Sequence, residues 1–125
     1  MSKRETPLTR RYWESVGGTL IEEFQAVAKG PHHAQRLIDG VIILGGPAEI
    51  SKDKSQKITD KDIVVIQTKA TRLSMSLLGQ AILSIELMKR FSPRSIKSVA
   101  VCTEDDAELR PIGEKFSIEI VVYSD

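Results

Sequence analysis

The sequence predicts an α/β protein in which a mixed β-sheet is flanked by helices, and three observations support this. Short runs rich in Val and Ile, bounded by Gly, Pro or Asp, are typical of buried strands. Such runs cover Gln35 to Leu44, Asp62 to Ala70, Ile96 to Cys102 and Ser117 to Tyr123. Segments with apolar residues at helical spacing precede and separate them. The strand–helix–strand order in the second half implies right-handed parallel crossovers, and the first two strands can pair antiparallel.

The first predicted helix runs from Tyr12 to Ala28 and ends at Gly30-Pro31. Its apolar residues at positions 16, 20, 24 and 27 recur at helical spacing. Gly17 and Gly18 interrupt its first half, each at a cost of about 1 kcal/mol relative to Ala. A break at these two glycines would make Thr19 the N-cap of the regular helix.

Two further helices are predicted from Ser74 to Phe91 and from Asp105 to Lys115. Ser92-Pro93 ends the first of them, and the acidic start of the second suits the helix dipole. Residues 1–11 are basic and polar, and we expect them to be a flexible N-terminus. Residues 48–61 are mostly polar and predict a long hairpin loop, with a short strand around Ile58 as an alternative.

Length and composition favour one domain, residues 1–125, in the cytoplasm. The 125 residues carry a net charge of +1, which neither requires nor excludes a nucleic-acid partner. Cys102 is the only cysteine, so no internal disulfide is expected and a reducing compartment is suitable. No apolar run approaches the roughly 18 to 20 residues of a membrane span, and no signal-peptide pattern opens the chain, so no membrane partner is expected.

Polar residues in the first two predicted strands indicate a functional site. Asp39 lies inside the apolar run Leu-Ile-Asp-Gly-Val-Ile, and Gln67 and Lys69 close the second run on one face, two residues apart. Burying an acid, an amide and an amine together costs free energy unless they bind something. Alternatively, Asp39 is a bulge or turn acid, and Gln67 and Lys69 are the solvent face of a half-buried strand.

The chain resembles the PD-(D/E)XK nuclease superfamily, which has the restriction-endonuclease-like αβββαβ core. The resemblance rests on a Glu in the first predicted helix (Glu22 or Glu23), on Asp39, and on Gln67-Thr68-Lys69 after Val-Val-Ile. Gln67 stands where the superfamily usually has Asp or Glu, as in the Gln-x-Lys version of its methylation-dependent restriction enzymes. Gln80 is similar to a Gln that some recombination-nuclease branches carry after the Lys.

This resemblance implies a Mg²⁺- or Mn²⁺-dependent nuclease. Asp39 would be the central metal ligand, the Thr68 carbonyl a neutral oxygen ligand, and Glu23 or Glu22 a further acid. On a helical wheel Glu23 flanks the apolar stripe, so it is preferred over Glu22. Lys69 would orient the attacking water and offset charge on the phosphate. Gln67 contributes an amide oxygen without charge and would weaken the metal site.

The implied substrate is DNA, with Arg36, Arg72 and Gln80 as candidate contacts to the nucleic acid. Arg10 and Arg11 could also neutralise phosphates. Gln80 has a second interpretation as a core amide, because apolar residues surround it in sequence. The family also leads us to expect a homodimer.

Two competing functions follow from the same residues. The first is a catalytically inactive nuclease-fold domain that binds nucleic acid or a protein partner. The second is a doubly wound α/β protein that binds a small ligand at its strand ends. Elsewhere, His32-His33 is predicted to be a solvated loop pair and Cys102 a packing residue.

Overall fold

Three helices and six strands make up the fold, which we describe from a computed structural model that covers residues 1–53 and 56–124. They are α1 (Glu5–Val16), β1 (Thr19–Val27), β2 (Arg36–Ile43), β3 (Glu49–Ser51), β4 (Asp62–Thr68), α2 (Met75–Lys89), β5 (Ser95–Cys102), α3 (Leu109–Lys115) and β6 (Ile118–Val122). The strands form one sheet in the order β3-β1-β2-β4-β5-β6.

The sheet is mixed, as predicted. Strand β2 runs antiparallel to both of its neighbours, β1 and β4, whereas β4, β5 and β6 are mutually parallel. The antiparallel pairing of β2 with β4 and the two parallel crossovers are therefore confirmed. With the three-residue β3 set aside, the order from α1 to β5 is α-β-β-β-α-β, the core order that the resemblance implies. The elements predicted from the residues alone had one strand fewer, because β1 was predicted as helix.

Helices cover both faces of the sheet. On one face, α1 packs Tyr12 against a cluster that includes Leu20, Ile42 and Val64. On the other face, α2 and α3 cover two clusters, one around Phe24 and Met88 and one of Leu73, Leu77, Leu78, Ala81, Ala100, Cys102, Ile118 and Ile120. Strand β4 is buried on both sides, which explains its continuous run of Ile and Val.

The predicted first helix is wrong, because helix α1 ends where that helix was expected to become regular. Gly17 and Gly18 have φ of +83° and +81°, a conformation that glycine adopts readily, and they turn the chain from α1 into β1. Residues 19–27 bury side chains on both faces of the sheet, so their apolar positions imitate helical spacing. The segment 1–11, predicted to be flexible, is helical from Glu5 onward.

Smaller corrections concern the loops. The short strand between β2 and β4 is β3, at 49–51, where it pairs with β1; Ile58 is a buried core residue outside any strand. Helix α3 begins at Leu109 and not at Asp105, because Asp106 Oδ1 accepts the N–H groups of Glu108 and Leu109 in a turn before it. Within the described residues, no helix has both the length and the apolar character needed to cross a bilayer.

Three glycine substitutions test this packing. A Cβ on Gly18 would lie 2.4 Å from the backbone oxygen of Ile43, whereas a Cβ on Gly17 or Gly79 meets nothing within 4 Å. Gly18→Ala should lower the free energy of unfolding by about 3 kcal/mol or more, through strain and the clash together. Gly17→Ala should cost less because it adds strain alone. Gly79→Ala, in α2, should raise stability by about 0.5–1 kcal/mol.

Urea unfolding followed by circular dichroism measures all three values. Gly17→Ala is the matched control, since it shares the positive φ without the close backbone contact. Equal losses for Gly17→Ala and Gly18→Ala would contradict the tight approach of the α1–β1 junction to β2.

Candidate active site

The candidate site lies where β2 and β4 separate. Their ladder ends at the pair Gly40↔Ile66, although β2 stays paired with β1 as far as Arg36 and β4 stays paired with β5 as far as Thr68. Beyond that pair the Thr68 N–H has no backbone acceptor among the described residues of β2. The Asp39 carboxylate takes the place of that acceptor, and its Oδ2 accepts the Thr68 N–H at 2.9 Å. The two strands therefore form a fork that this bond closes at its base.

A cavity of about 670 Å³ opens at this point, which we call the fork cavity. Its walls are residues 36–39 of β2 and residues 67–69, at the end of β4 and just beyond it. Helix α2 contributes the remaining wall with Gln80, Leu83, Ser84 and Leu87. The N-terminal segment closes it with Met1, Ser2 and Glu5. The structure therefore brings together Asp39, Gln67, Thr68, Lys69, Arg36 and Gln80, which the sequence analysis had singled out.

Asp39 faces this cavity because β1 and β2 each interrupt, next to it, the alternation of side chains between the two faces of the sheet. Ile38 and Val41 are three residues apart yet pack in the same core cluster, and so do Ile21 and Phe24 on β1. The pairs Glu22↔Gly40 and Phe24↔Ile38 flank the break, so Glu23 and Asp39 occupy corresponding positions. Glu23 has a φ of +53°, which marks the distortion on β1.

Helix α1 closes the other side of the fork. A Cβ on Gly40 would lie 3.1 Å from both the Leu20 and Thr9 side chains, so glycine at this position lets α1 approach β2 closely. The buried Thr9 hydroxyl is 2.8 Å from the Thr68 hydroxyl. This hydroxyl pair ties α1 to the end of β4.

Burial raises the pKa of the Asp39 carboxyl. The hydrogen bond from the Thr68 N–H opposes this rise, the negative charge of Glu5 adds to it, and the positive charges of Met1 and Lys69 oppose it. Asp39 is therefore a partly desolvated carboxylate whose charged form a bound cation would stabilise. Its Oδ1 accepts no hydrogen bond from the described residues.

Gln67 has a fixed orientation that the sequence could not show. The Ser84 hydroxyl donates its one proton to the Gln80 carbonyl at 2.6 Å, the carbonyl one turn earlier in α2. Ser84 can therefore only accept from Gln67, whose Nε2 donates to it at 2.7 Å. The Gln67 Oε1 points away from Ser84, and no donor among the described residues binds it.

Thr68 presents its backbone to the fork. The Lys69 N–H donates to the Val101 carbonyl on β5, so residue 69 faces β5 and residue 68 faces β2. The N–H and C=O of one residue in a strand point the same way, which directs the Thr68 carbonyl toward the fork together with its N–H.

The structure adds Glu5 to the site, an acid that the sequence analysis missed. Glu5 lies in the first turn of α1 and lines the fork cavity. It forms reciprocal hydrogen bonds with Ser2, in which the Ser2 N–H donates to Glu5 Oε1 and the Glu5 N–H donates to Ser2 Oγ, both at 3.2 Å. The Ser-x-x-Glu spacing of a capping box was visible in the sequence and would have located this helix.

Other predicted site residues lie elsewhere. Glu22 and Glu23 were expected on a helix and are in β1; Glu22 forms a bidentate ion pair with Arg10 at 2.9 Å. Glu23 accepts from the Met1 α-amino group at 2.6 Å and does not line the fork cavity. Arg72 lies outside the cavity as well and pairs with Glu104 at 2.5 Å.

The burial of Cys102 and the exposure of His32 and His33 agree with the sequence predictions for these residues. Cys102 is buried against the α2 face of the sheet, as predicted, and burial raises the pKa of its thiol. His32 and His33 are exposed in the β1–β2 connection.

The donor atoms of the fork cavity are of the kind that Mg²⁺ binds. This ion prefers oxygen ligands, takes only one or two carboxylates and keeps several waters. Asp39 Oδ1, Gln67 Oε1 and the Thr68 carbonyl are oxygen donors on two neighbouring strands, and Glu5 is an acid on the same cavity wall. A set of three or more His, Cys, Asp or Glu residues suited to a metal does not occur in the described ranges, so any cation here must rely on neutral oxygens.

No family model matches this chain, and comparisons with curated proteins and with solved structures find no significant match for it.

The raised pKa of Asp39 predicts a pH dependence of stability. The folded state binds this proton more tightly than the unfolded state, so Asp39 lowers stability as pH rises from about 4 through the folded-state pKa. Asp39→Asn removes this titration and keeps an acceptor for the Thr68 N–H. In EDTA, the variant should therefore gain stability relative to the unaltered protein as pH rises above about 4.

Urea unfolding at several pH values measures this difference. Asp62→Asn is the control of opposite sign, because Arg94 and Ser95 hold the pKa of Asp62 down to about 2. That variant should lose stability relative to the unaltered protein as pH rises from about 2 to 4. Parallel pH profiles for Asp39→Asn and the unaltered protein would contradict the buried, desolvated carboxyl.

The orientation of the Gln67 amide predicts how much removal of the Ser84 hydroxyl lowers the free energy of unfolding. Ser84→Ala leaves the Gln67 Nε2 buried without an acceptor, which should cost about 1–3 kcal/mol. In a Gln67→Leu background the same change should cost less, because no donor is left orphaned. Ser98→Ala is the matched control, since Ser98 is an equally buried serine that donates to the Ala81 carbonyl away from Gln67. Equal costs of Ser84→Ala in the two backgrounds, by urea unfolding, would contradict the assigned orientation.

Proposed function

We propose that this protein is a metal-dependent deoxyribonuclease that hydrolyses phosphodiester bonds. The observation that carries the proposal is the fork itself, where Asp39, Gln67, Thr68 and Lys69 border one open cavity. They do so in an α-β-β-β-α-β element order that resembles the core of PD-(D/E)XK nucleases. Asp39 is a half-buried carboxylate without an ion pair among the described residues, and that arrangement is costly unless a cation completes it.

The residues that would hold Mg²⁺ or Mn²⁺ are Asp39, Gln67 through Oε1, and Thr68 through its carbonyl. The bound ion would supply Lewis-acid polarisation of the phosphate and lower the pKa of a water molecule. The hydrogen bond from the Thr68 N–H holds the Asp39 carboxylate in place, and Ser84 holds the Gln67 amide. The donors are thus positioned before any ligand binds.

Lys69 and Arg36 are the basic side chains that line the cavity among the described residues, and they lie on opposite strands of the fork. Lys69 lies close enough to Asp39 for its charge to lower the pKa of that carboxyl. In the proposed reaction Lys69 orients the attacking water and stabilises charge that develops on the phosphate. Arg36, at the start of β2, would contact a neighbouring phosphate, and Gln80 would hydrogen-bond the strand.

The second acid of the proposed site is Glu5 or Glu23. Glu5 is favoured because it lines the fork cavity and its charge raises the pKa of Asp39. Glu23 lies opposite Asp39 on β1, but its carboxylate is engaged with the Met1 amino group. A homodimer and a cytoplasmic location stay predictions.

A second candidate function is a catalytically inactive nuclease-fold domain that binds nucleic acid or a protein partner. One observation favours it. Residue 67 is a neutral amide, hydrogen-bonded to Ser84, and the site therefore has one negative charge fewer than the family pattern, which has Asp or Glu at this position. This alternative keeps the DNA contacts and predicts no cleavage.

A cleavage assay decides between them. Single-stranded, double-stranded and branched DNA are incubated with Mg²⁺ or Mn²⁺ and, in parallel, with EDTA. Asp39→Ala and Lys69→Ala should each lower the metal-dependent rate about 100-fold or more. Lys115→Ala is the matched control, because Lys115 is an exposed lysine at the end of α3 away from the fork cavity. Glu5→Gln should lower the rate more than Glu23→Gln.

A second readout does not depend on cleavage. Mg²⁺ should raise the melting temperature of the unaltered protein and leave that of Asp39→Asn unchanged, because a ligand that binds only the folded state stabilises it. Cleavage that persists in Asp39→Ala would refute the assigned metal ligand. DNA binding without cleavage on any substrate would favour the inactive domain.

A further inference from the structure

A second cavity, of about 620 Å³, lies beside the fork cavity and is not used by the chemistry proposed above. Leu37 borders both cavities and is 42% exposed, so it forms a ridge between them. We call the second one the side cavity. Its volume falls within the roughly 300–1,000 Å³ of small-molecule sites.

The floor of the side cavity is apolar and aromatic. Phe24 of β1 and Phe91, just after α2, meet edge to face with ring centroids 5.2 Å apart, and the buried Ile58 lies beside them. Phe91 is only partly buried, so part of its ring faces the cavity. Such a floor suits a flat, unsaturated ligand.

A pair of glutamines on the cavity wall presents one donor and one acceptor. Gln35 Nε2 donates to Gln25 Oε1 at 2.7 Å across the β1–β2 connection. That bond leaves the Gln25 amino group and the Gln35 carbonyl oxygen, both on exposed side chains, without a partner among the described residues. An adjacent donor and acceptor match the hydrogen-bonding edge of a nucleobase, the edge that single amide side chains recognise in DNA.

We propose that the side cavity binds an unpaired nucleobase of the same strand whose backbone enters the fork cavity. This inference rests on the proposed nuclease function and adds the substrate class, DNA with a base outside the helical stack. The base lies against the Phe91 ring and hydrogen-bonds Gln25 and Gln35. The exposed Lys52 and Lys57 line the cavity together with Asp53, and the two lysines neutralise neighbouring phosphates.

The ridge at Leu37 explains why the base must be unpaired. A stacked, paired base must lose its stacking and pairing before it can cross Leu37, whereas a bulged or single-stranded base costs little to rotate out. Recognition of splayed bases by aromatic rings and by amide hydrogen bonds is the general way in which proteins bind unstacked nucleotides.

Equilibrium binding in EDTA tests the inference without any need for cleavage. Three fluorescent DNA probes are compared: a perfect duplex, the same duplex with one bulged base, and the same bulge made abasic. The bulged duplex should bind about tenfold more tightly than the other two, as one stacked base is worth by alanine substitution. Gln35→Leu should abolish this preference, and Lys115→Ala should keep it. Gln35 is exposed, so the substitution leaves folding intact.

The outcomes separate the two proposals. Equal binding of the bulged and abasic probes, or an unchanged preference in Gln35→Leu, would overturn the side-cavity inference and leave the nuclease proposal standing. No binding of any probe, together with no cleavage, would overturn both. Loss of the bulge preference in an excess of free deoxynucleoside monophosphates would confirm that the cavity recognises the base, and failure of these nucleotides to compete would count against it.

Discussion

The hydrogen bond between Asp39 and the Thr68 N–H is the interaction on which the candidate site depends. It lies at the point where β2 stops pairing with β4 and continues alone with β1. A backbone N–H left in that position without a partner would be costly, and a full ladder would leave no opening. The carboxylate satisfies the N–H and keeps the strands apart, so one side chain both ends the ladder and creates the cavity.

The rest of the site is arranged around that carboxylate by contacts from three elements. Helix α1 approaches over Gly40 and fixes Thr68 through Thr9, while α2 fixes Gln67 through Ser84. These contacts hold the end of β4 from both faces of the sheet. Burial of Asp39 is the consequence, and it raises the pKa of that carboxyl. The fold therefore maintains a polar arrangement that is unfavourable by itself, which is common where a protein binds a ligand.

Much of the fold could be predicted from the sequence because its central strands are unambiguous. Strands β2, β4, β5 and β6 are apolar runs between turn residues, and their order restricts the crossovers. Strand β1 was missed because Leu20, Phe24 and Val27 fit both helical spacing and a strand with a break at Glu23. Periodicity within one segment cannot distinguish these, whereas the capping pattern from Ser2 to Glu5 and the two glycines at 17 and 18 could have done so.

The candidate site, like the fold, could be predicted only in part. Asp39 and Gln67-Thr68-Lys69 were visible as polar residues in apolar strands. Glu5 was missed because the first helix was predicted to begin at Tyr12, beyond it. The direction of the Gln67 amide depends on Ser84, 17 residues away, and on the proton that Ser84 gives to Gln80. Local sequence contains no signal for such a chain of hydrogen bonds, because it exists only once α2 has packed on the sheet.

The neutral residue at position 67 has a physical consequence for the whole fork. Glu5 already adds negative charge near Asp39, and a carboxylate in place of Gln67 would add a third in a partly desolvated cavity. Like charges so close would raise their pKa values and strain the protein whenever no cation is present. An amide oxygen held toward the cavity retains a metal-ligating atom without that repulsion. The same neutrality weakens the attraction for a cation, so stability of the empty fork and affinity for metal are opposed at this one residue.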